Sequence, residues 1–323
     1  MPLRLLRHHE IDLAAWDACV SSAREVVPYA HSWWLQATAG RWDALVKTDD
    51  ETGRYLSIWP LPIKRRLSGL EVYQPPFTQQ LGLLTSQKQV RPAIREVWDH
   101  RSAGLRYTKI YTQFNDQNEL VPAGKFSIGL GHSFLVCTHR QTYQLSLAVA
   151  YETLEVAYAA DYRRRLRQLY ASRLTVRATT DAEPLLTLFQ ETKGYEAGLK
   201  RRHYSVLRNL LVALQQRQLS EILEVWHPET KELLAAALFV KYRTRLIYLF
   251  AAASAEGKKA GAPLLLLDHQ IRRYAGTPGL ILDFEGGMIP SIARFFANFG
   301  ATPVPYAAFS CISHRPWYLS WMR

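Results

Sequence analysis

The chain has 323 residues, 48 % hydrophobic and 12 % aromatic, with 17 Gly and 16 Pro, which excludes disordered, collagen-like and low-complexity proteins and leaves one large globular domain or two ordinary ones. Forty Lys and Arg against 28 Asp and Glu give a formal net charge of +12; that balance suits nucleic acid, a phosphorylated cofactor or an acidic membrane surface, or serves solubility alone. Cys19, Cys137 and Cys311 are odd in number and far apart, so neither a disulfide framework nor a zinc cluster is expected, and a reducing, cytoplasmic setting fits best.

Residues 1–16 contain Glu10 and Asp12 and no apolar run of signal length, so secretion is not expected. The most apolar stretches, 233–240 and 262–267, fall far below the ~20 residues that a membrane-spanning helix needs.

In the N-terminal half, strands are expected at 42–47 and 54–62 around the turn segment Asp49-Asp50-Glu51-Thr52-Gly53. The Pro-, Gln- and Gly-rich stretch 73–84 reads as a loop, 87–101 as a helix and 107–114 as a strand. Residues 151–172 then place Arg163, Arg164, Arg165 and Arg167 among Leu154, Tyr158, Tyr162, Leu166 and Leu169. That spacing predicts an amphipathic basic helix, either a phosphate or nucleic-acid contact or a solvated face with long side chains lying over apolar surface.

The C-terminal half is more regular. Strands at 221–227 and 233–242 flank the turn 228–232, and 246–252 is a continuous apolar run that reads as a buried strand. A loop over 253–262, holding Gly257 and Gly261, leads to a helix opened by Pro263 and running to about Tyr274. A strand at 280–284, a helix at 289–299 ended by Gly300 and a strand at 304–312 complete the order. This is an α+β arrangement. The N-terminal half echoes it, which predicts two copies of one architecture, residues 1–150 and 173–323, joined by the basic helix 151–172.

Several residues are candidates for chemistry. The loop 254–262 joins small residues to Lys258 and Lys259 at a helix start, where backbone N–H groups and the helix dipole favour an anion. It lacks the spacing of a Walker loop or a dinucleotide fingerprint, and a turn of this kind also forms for folding reasons alone. Asp283 and Glu285 share a face if their strand extends that far. Each is then a candidate base, or a structural group capping the next helix or pairing Arg294. Arg202, His203 and Tyr204, in a basic and aromatic cluster expected as a loop before a helix, line an acceptor site or simply face solvent. Gln79 and Gln80 follow a Pro-Pro turn and bind a sugar or peptide acceptor, or satisfy loop backbone. The nine tryptophans, among them Trp33, Trp34, Trp226, Trp317 and Trp321, belong to a core or a stacking site. No metal site is expected.

The run 233–267, Leu282-Asp283-Phe284-Glu285-Gly286 and Ala293-Arg294-Phe295-Phe296-Ala297-Asn298-Phe299-Gly300 together resemble the GNAT superfamily of acyl-CoA N-acyltransferases. Gln74-Pro75-Pro76-Phe77-Thr78-Gln79-Gln80-Leu81-Gly82, the segment 111–118 and Tyr162-Arg163-Arg164-Arg165-Leu166-Arg167 extend the resemblance to its two-domain FemABX-like branch. The resemblance implies two tandem GNAT-like domains, each a mixed, mostly antiparallel sheet flanked by helices. It also implies transfer of an acyl group from acyl-CoA to an amine of a small molecule, glycan or peptide, such as a cell-envelope or polysaccharide precursor. The pantetheine arm is then expected on the strand backbone at Phe250, Ala251 and Ala252, and the pyrophosphate on Ser254, Gly257, Lys258, Lys259, Gly261 and Ala262. Asp283 or Glu285 is the implied base, with strand N–H groups stabilising the oxyanion.

One position departs from the family. Simple members often carry a proton-donating Tyr four residues before the glycine that ends the last helix, and here it is Phe296. Aminoacyl-tRNA-dependent relatives transfer from an ester instead, and a basic chain suits a polyanionic donor. Two alternatives therefore stand beside acyl-CoA chemistry: a tRNA-dependent aminoacyltransferase of peptidoglycan-type precursors, and a non-catalytic binding module on the same fold.

Overall fold

The computed structural model describes residues 3–67, 69–86, 107–127, 134–194 and 198–312. The helix expected over 87–101, Trp317 and Trp321 lie outside them. Two compact units result, one of residues 1–140 with the chain from Pro305 onward, the other of residues 141–304.

In chain order the elements begin with β1 (Arg4–Leu6), α1 (Leu13–Ser22), α2 (Ser32–Thr38), β2 (Trp42–Thr48), β3 (Tyr55–Arg66), β4 (Gly69–Val72), β5 (Leu84–Thr85), β6 (Tyr107–Gln113), β7 (Gly124–Ser127) and β8 (Phe134–Ser146). Then come α3 (Tyr151–Val156), α4 (Ala160–Tyr170), β9 (Thr175–Thr179), α5 (Glu183–Phe189), α6 (Arg201–Gln215), β10 (Ser220–Trp226), β11 (Leu233–Tyr242) and β12 (Arg245–Ala253). The chain closes with α7 (Ala255–Ala260), α8 (Ala262–Tyr274), β13 (Ile281–Asp283), α9 (Pro290–Ala297) and β14 (Thr302–Ile312).

In the first unit the strand neighbours run β1-β2-β3-β4-β6-β14-β8. The pleat of β6 sends Ile110 and Phe114 into the core and Lys109, Tyr111 and Gln113 to the opposite face. Trp59, Phe114 and Phe309 form the centre of that core, with ring centroids 5.3 and 4.8 Å apart. Helix α1 starts at Asp12, whose Oδ1 accepts the N–H groups of Ala14 and Ala15 at 2.9 and 3.0 Å. It presents Trp16, fully buried, with its indole N–H donated to the Ala30 carbonyl at 2.8 Å.

The second unit orders its strands β8-β13-β12-β11-β10-β9. All neighbouring pairs are antiparallel except β12–β13, which is parallel. The continuous apolar run of β11 is explained by burial on both faces. Alanines face each other where β11 meets β12, Ala235 with Ala253, Ala236 with Ala252 and Ala237 with Ala251, so this end of the sheet carries little side-chain bulk.

The expected basic helix over 151–172 is two helices. At the break the N–H of Ala159 donates to the Asn298 carbonyl at 2.9 Å. Gly300 also packs so closely there that a Cβ on it would lie 2.9 Å from the Cβ of Ala157. Helix α4 keeps the expected amphipathic character, burying Tyr162, Leu166 and Leu169. Phe299 is fully buried beneath Tyr158 and Tyr162, edge-on to both at 5.3 and 5.1 Å; rings in this geometry add roughly 0.5–1.5 kcal/mol each beyond area burial.

The glycine-bearing loop expected over 253–262 is likewise a correction, because most of it is helix α7. Ser254 caps it by accepting the Gly257 N–H at 2.9 Å. Gly261, in the left-handed region at φ +80°, ends it and starts α8 with Pro263 in the first turn.

Candidate active site

Strand β12 pairs with β11 as far as Ala253 but with β13 only through Ile247, opposite Asp283. Beyond that point the two parallel strands separate, and among the described residues no strand pairs with residues 248–253 on that side. Two local features cause the separation. In β12 a bulge at Leu249 lets Tyr248 face Phe239 and Phe250 face Leu238, which bends the strand. In β13 the strand ends at Asp283, and Glu285 takes a left-handed conformation at φ +51°. Strand alternation therefore does not reach Glu285, and the two carboxylates do not share a face as the spacing predicted.

The gap opens into a cavity of about 390 Å³. Its floor is the alanine trough of Ala235, Ala236, Ala251, Ala252 and Ala253, and its wall is Tyr248, Leu266, Phe284, Ile292, Phe295 and Phe296. Phe296 stacks on Phe284, with centroids 4.6 Å apart and planes 29° from parallel. Glu285 and Ser291 supply polar groups, and Lys258 and Pro263 stand at the edge.

Glu285 is half-buried, and burial holds its carboxyl well above the usual carboxylate range. A carboxyl raised in this way holds a proton more readily than an ordinary glutamate does. Asp283 is placed differently. Its Oδ1 accepts the Thr142 hydroxyl at 2.6 Å and the Glu285 N–H at 3.0 Å; its Oδ2 accepts Gln144 Nε2 at 3.1 Å and Arg245 Nη1 at 3.2 Å. It is not among the residues lining the cavity. These hydrogen bonds tie it into the turn that carries Glu285.

The other expected site residues separate into groups. Phe250, Ala251, Ala252 and Lys258 line the cavity. Ser254 is a helix cap, and Gly257 is required by packing, since a Cβ there would lie 1.9 Å from the Leu234 carbonyl oxygen. Lys259 is exposed and outside the lining. Gly261 and Ala262 form the turn into α8, and Arg165 of α4 reaches to within 3.2 Å of where a Gly261 Cβ would be.

Arg202, His203 and Tyr204 are corrected from loop to the first turn of α6. The Nδ1 of His203 accepts the Lys200 N–H at 2.9 Å; desolvation, with Arg202 and Lys200 nearby, lowers its pKa. Tyr204 is buried. In the first unit Gln80 is buried and its Oε1 accepts the Asp116 N–H at 2.9 Å, while its Nε2 donates to Gln79 Oε1 at 3.3 Å. This is the loop-satisfying alternative.

Tyr248 was not anticipated, although it is the polar-tipped residue of the apolar run 246–252. It lines the cavity 6.2 Å from Phe296, ring centroid to centroid, and burial raises its phenol pKa. A larger cavity of about 670 Å³ lies among the opposite strand ends, lined by Glu221, Lys241, Arg273 and Tyr274. There Glu221 is paired with Arg273 and accepts from Gln270, and Lys241 sits 4.7 Å over the Tyr274 ring, so its charges already have partners. Among the described residues no cluster of His, Cys, Asp and Glu is placed to hold a metal ion, and no helix is long and apolar enough to cross a membrane.

Residues 157–288 match the acetyltransferase (GNAT) domain family. The match falls within the second unit. Its fold is that of FemX, to which it is similar along 99 % of this chain and 100 % of that one at 13 % identity and a TM-score of 0.63. A tandem GNAT protein from the clavulanic acid biosynthesis pathway is similar at 14 % identity over 95 % and 98 % of the two chains, TM-score 0.50. The C-terminal domain of a putative lysylphosphatidylglycerol synthetase from Agrobacterium fabrum is similar at 10 % identity over 94 % and 92 %, TM-score 0.54. No curated protein matches the sequence. The two-domain, FemX-like GNAT fold expected from the motifs is thus the fold observed.

Proposed function

We propose that this protein is an N-acyltransferase that moves an acyl group from acyl-CoA to an amine, with the donor in the gap between β12 and β13. The observation that carries the reading is the end of β12–β13 pairing at Ile247, beyond which residues 248–253 border a cavity that contains the raised carboxyl of Glu285. An extended amide-bearing arm satisfies a free strand edge as a further strand would, and the alanine trough leaves it room. Lys258, at the cavity edge, and Arg165, beside the turn into α8, supply positive charge for the donor's phosphates.

In this mechanism Glu285 takes the proton of the attacking amine, directly or through one water, and backbone N–H groups of β12 beyond Ile247 stabilise the oxyanion. Tyr248, in the same wall as Phe296, donates a proton to the leaving sulfur. The acceptor is an amine of a cell-envelope or polysaccharide precursor, and three buried free thiols fit a reducing, cytoplasmic setting.

A second donor class, aminoacyl-tRNA, is favoured by the net charge of +12 and by the exposed arginines of α4. Thiol release from a panel of acyl-CoAs with amine acceptors, run beside aminoacyl-tRNA in competition, tests the reading. Acyl-CoA turnover supports it; turnover with aminoacyl-tRNA alone moves the donor class, and none with either points to a binding module.

A further inference from the structure

Three neighbouring strands of the first unit, β6, β14 and β8, place polar side chains on the sheet face turned away from the core. Tyr111 and Gln113 come from β6, Tyr306 from β14 and Arg140 from β8, while Ile110, Phe309 and Cys137 of the same strands point into the core. The hydrogen bonds among them run in one direction. The Tyr306 hydroxyl donates to Gln113 Oε1 at 3.2 Å, and Gln113 Nε2 donates to the Tyr111 hydroxyl oxygen at 3.0 Å. Arg140 stands on the strand next to Tyr306, with its guanidinium close enough to the hydroxyls of Tyr306 and Tyr111 to interact with both electrostatically.

A donor–acceptor count leaves this cluster unbalanced. The Tyr111 oxygen accepts from Gln113, and its own O–H has no acceptor among the described residues. Arg140 has five N–H donors, its Nε–H is buried without a partner, and no carboxylate pairs with it among the described residues. A partly desolvated cation with no counter-charge is costly, and here it is ringed by hydroxyl groups rather than by acids. Both Arg140 and Tyr111 keep partial solvent exposure, so a ligand can reach them.

The geometry points to an oxyanion site in the first unit, in which Arg140 and the Tyr111 hydroxyl bind the carboxylate or phosphate of a small ligand, with Tyr306 and Gln113 holding both in place. Guanidinium pairs with such planar or tetrahedral oxyanions through two parallel N–H bonds. The site stands apart from the acyl-transfer reading and needs no turnover for its test.

The test follows the Arg140 Nε–H signal by NMR in the full chain labelled with ¹⁵N-arginine, titrating inorganic phosphate and, separately, acetate at constant ionic strength. The signal is assigned by its loss in Arg140→Lys or, where that variant does not fold, by cross-peaks to the Tyr306 ring. A saturable shift in the millimolar range, weakened several-fold in Tyr111→Phe, is expected. Response to phosphate alone identifies a phosphate ligand, to acetate alone a carboxylate, and to both a general oxyanion site. No saturable shift with either probe, or an equal one in Tyr111→Phe, overturns the proposal.

Discussion

The N–H of Glu285 donates to Asp283 Oδ1 at 3.0 Å, and the same carboxylate accepts from Thr142, Gln144 and Arg245. One buried acid thereby fixes the left-handed turn that carries the other into the cavity. Asp283→Asn is expected to lower kcat while leaving KM for the acyl donor unchanged. It should also move the acid limb of the pH–rate profile to lower pH, since a negative charge two residues from Glu285 is removed. Breaking a buried ion pair costs about 3–5 kcal/mol, so Thr142→Val, which deletes one hydrogen bond worth roughly 1–3 kcal/mol, is the milder companion. Unchanged pH profiles in both variants would confine Asp283 to folding.

Glu285 binds its proton more tightly in the folded chain than in the unfolded one, because burial raises its pKa. Its contribution to stability is complete below the ordinary glutamate pKa and is lost as pH rises through the folded value. Glu285→Gln should therefore raise Tm at pH 8 relative to the parent and leave it nearly equal at pH 4. The same variant should lose about 10²-fold or more in turnover. Paired melting curves and initial rates check both; a variant as active as the parent would remove Glu285 from the chemistry.

Gly257 and Lys258 are neighbours with opposite expected behaviour. Gly257→Ala drives a Cβ to 1.9 Å from the Leu234 carbonyl oxygen, and overpacking of this kind costs roughly 1–3 kcal/mol or more, lowering Tm. Lys258 is exposed at the cavity edge, so Lys258→Ala should leave Tm alone and raise KM for acyl-CoA. Calorimetry and steady-state kinetics on the two variants separate packing from phosphate contact.

The second unit was legible in the sequence where one local signal decides an outcome. The apolar run of β11, the Pro263 start of α8 and the Gly300 stop after α9 all mark elements that formed. Long-range contacts decided the rest. Gly257 looked like a phosphate-loop glycine and is instead required by the Leu234 carbonyl, which lies 23 residues earlier in the chain. Asp283 and Glu285 looked equivalent at a spacing of two, and only the left-handed turn at Glu285 separates them. The break between α3 and α4 depends on Asn298 and Gly300, which no pattern within 151–172 reveals. In the first unit, alternation in 107–114 marks a strand but not that Arg140 and Tyr306 come to lie on the face of Tyr111.

Phe296 occupies the position where the sequence resemblance leads one to expect a proton-donating tyrosine, and it is stacked into an aromatic wall. Tyr248 enters the same cavity from the central strand, with no hydrogen-bond partner for its hydroxyl among the described residues. Burial keeps the phenol protonated through the physiological range, which is the state a proton donor requires. Tyr248→Phe keeps the ring contacts with Phe239 and Phe296 and removes only the O–H, so Tm should change little. The expected loss is about 10²-fold in kcat with acyl-CoA. With an aryl ester donor the leaving group departs as a stable anion and needs no proton, so the variant should approach the parent rate. An equal loss with both donors would instead mean that Tyr248 shapes the cavity and that another group protonates the leaving sulfur.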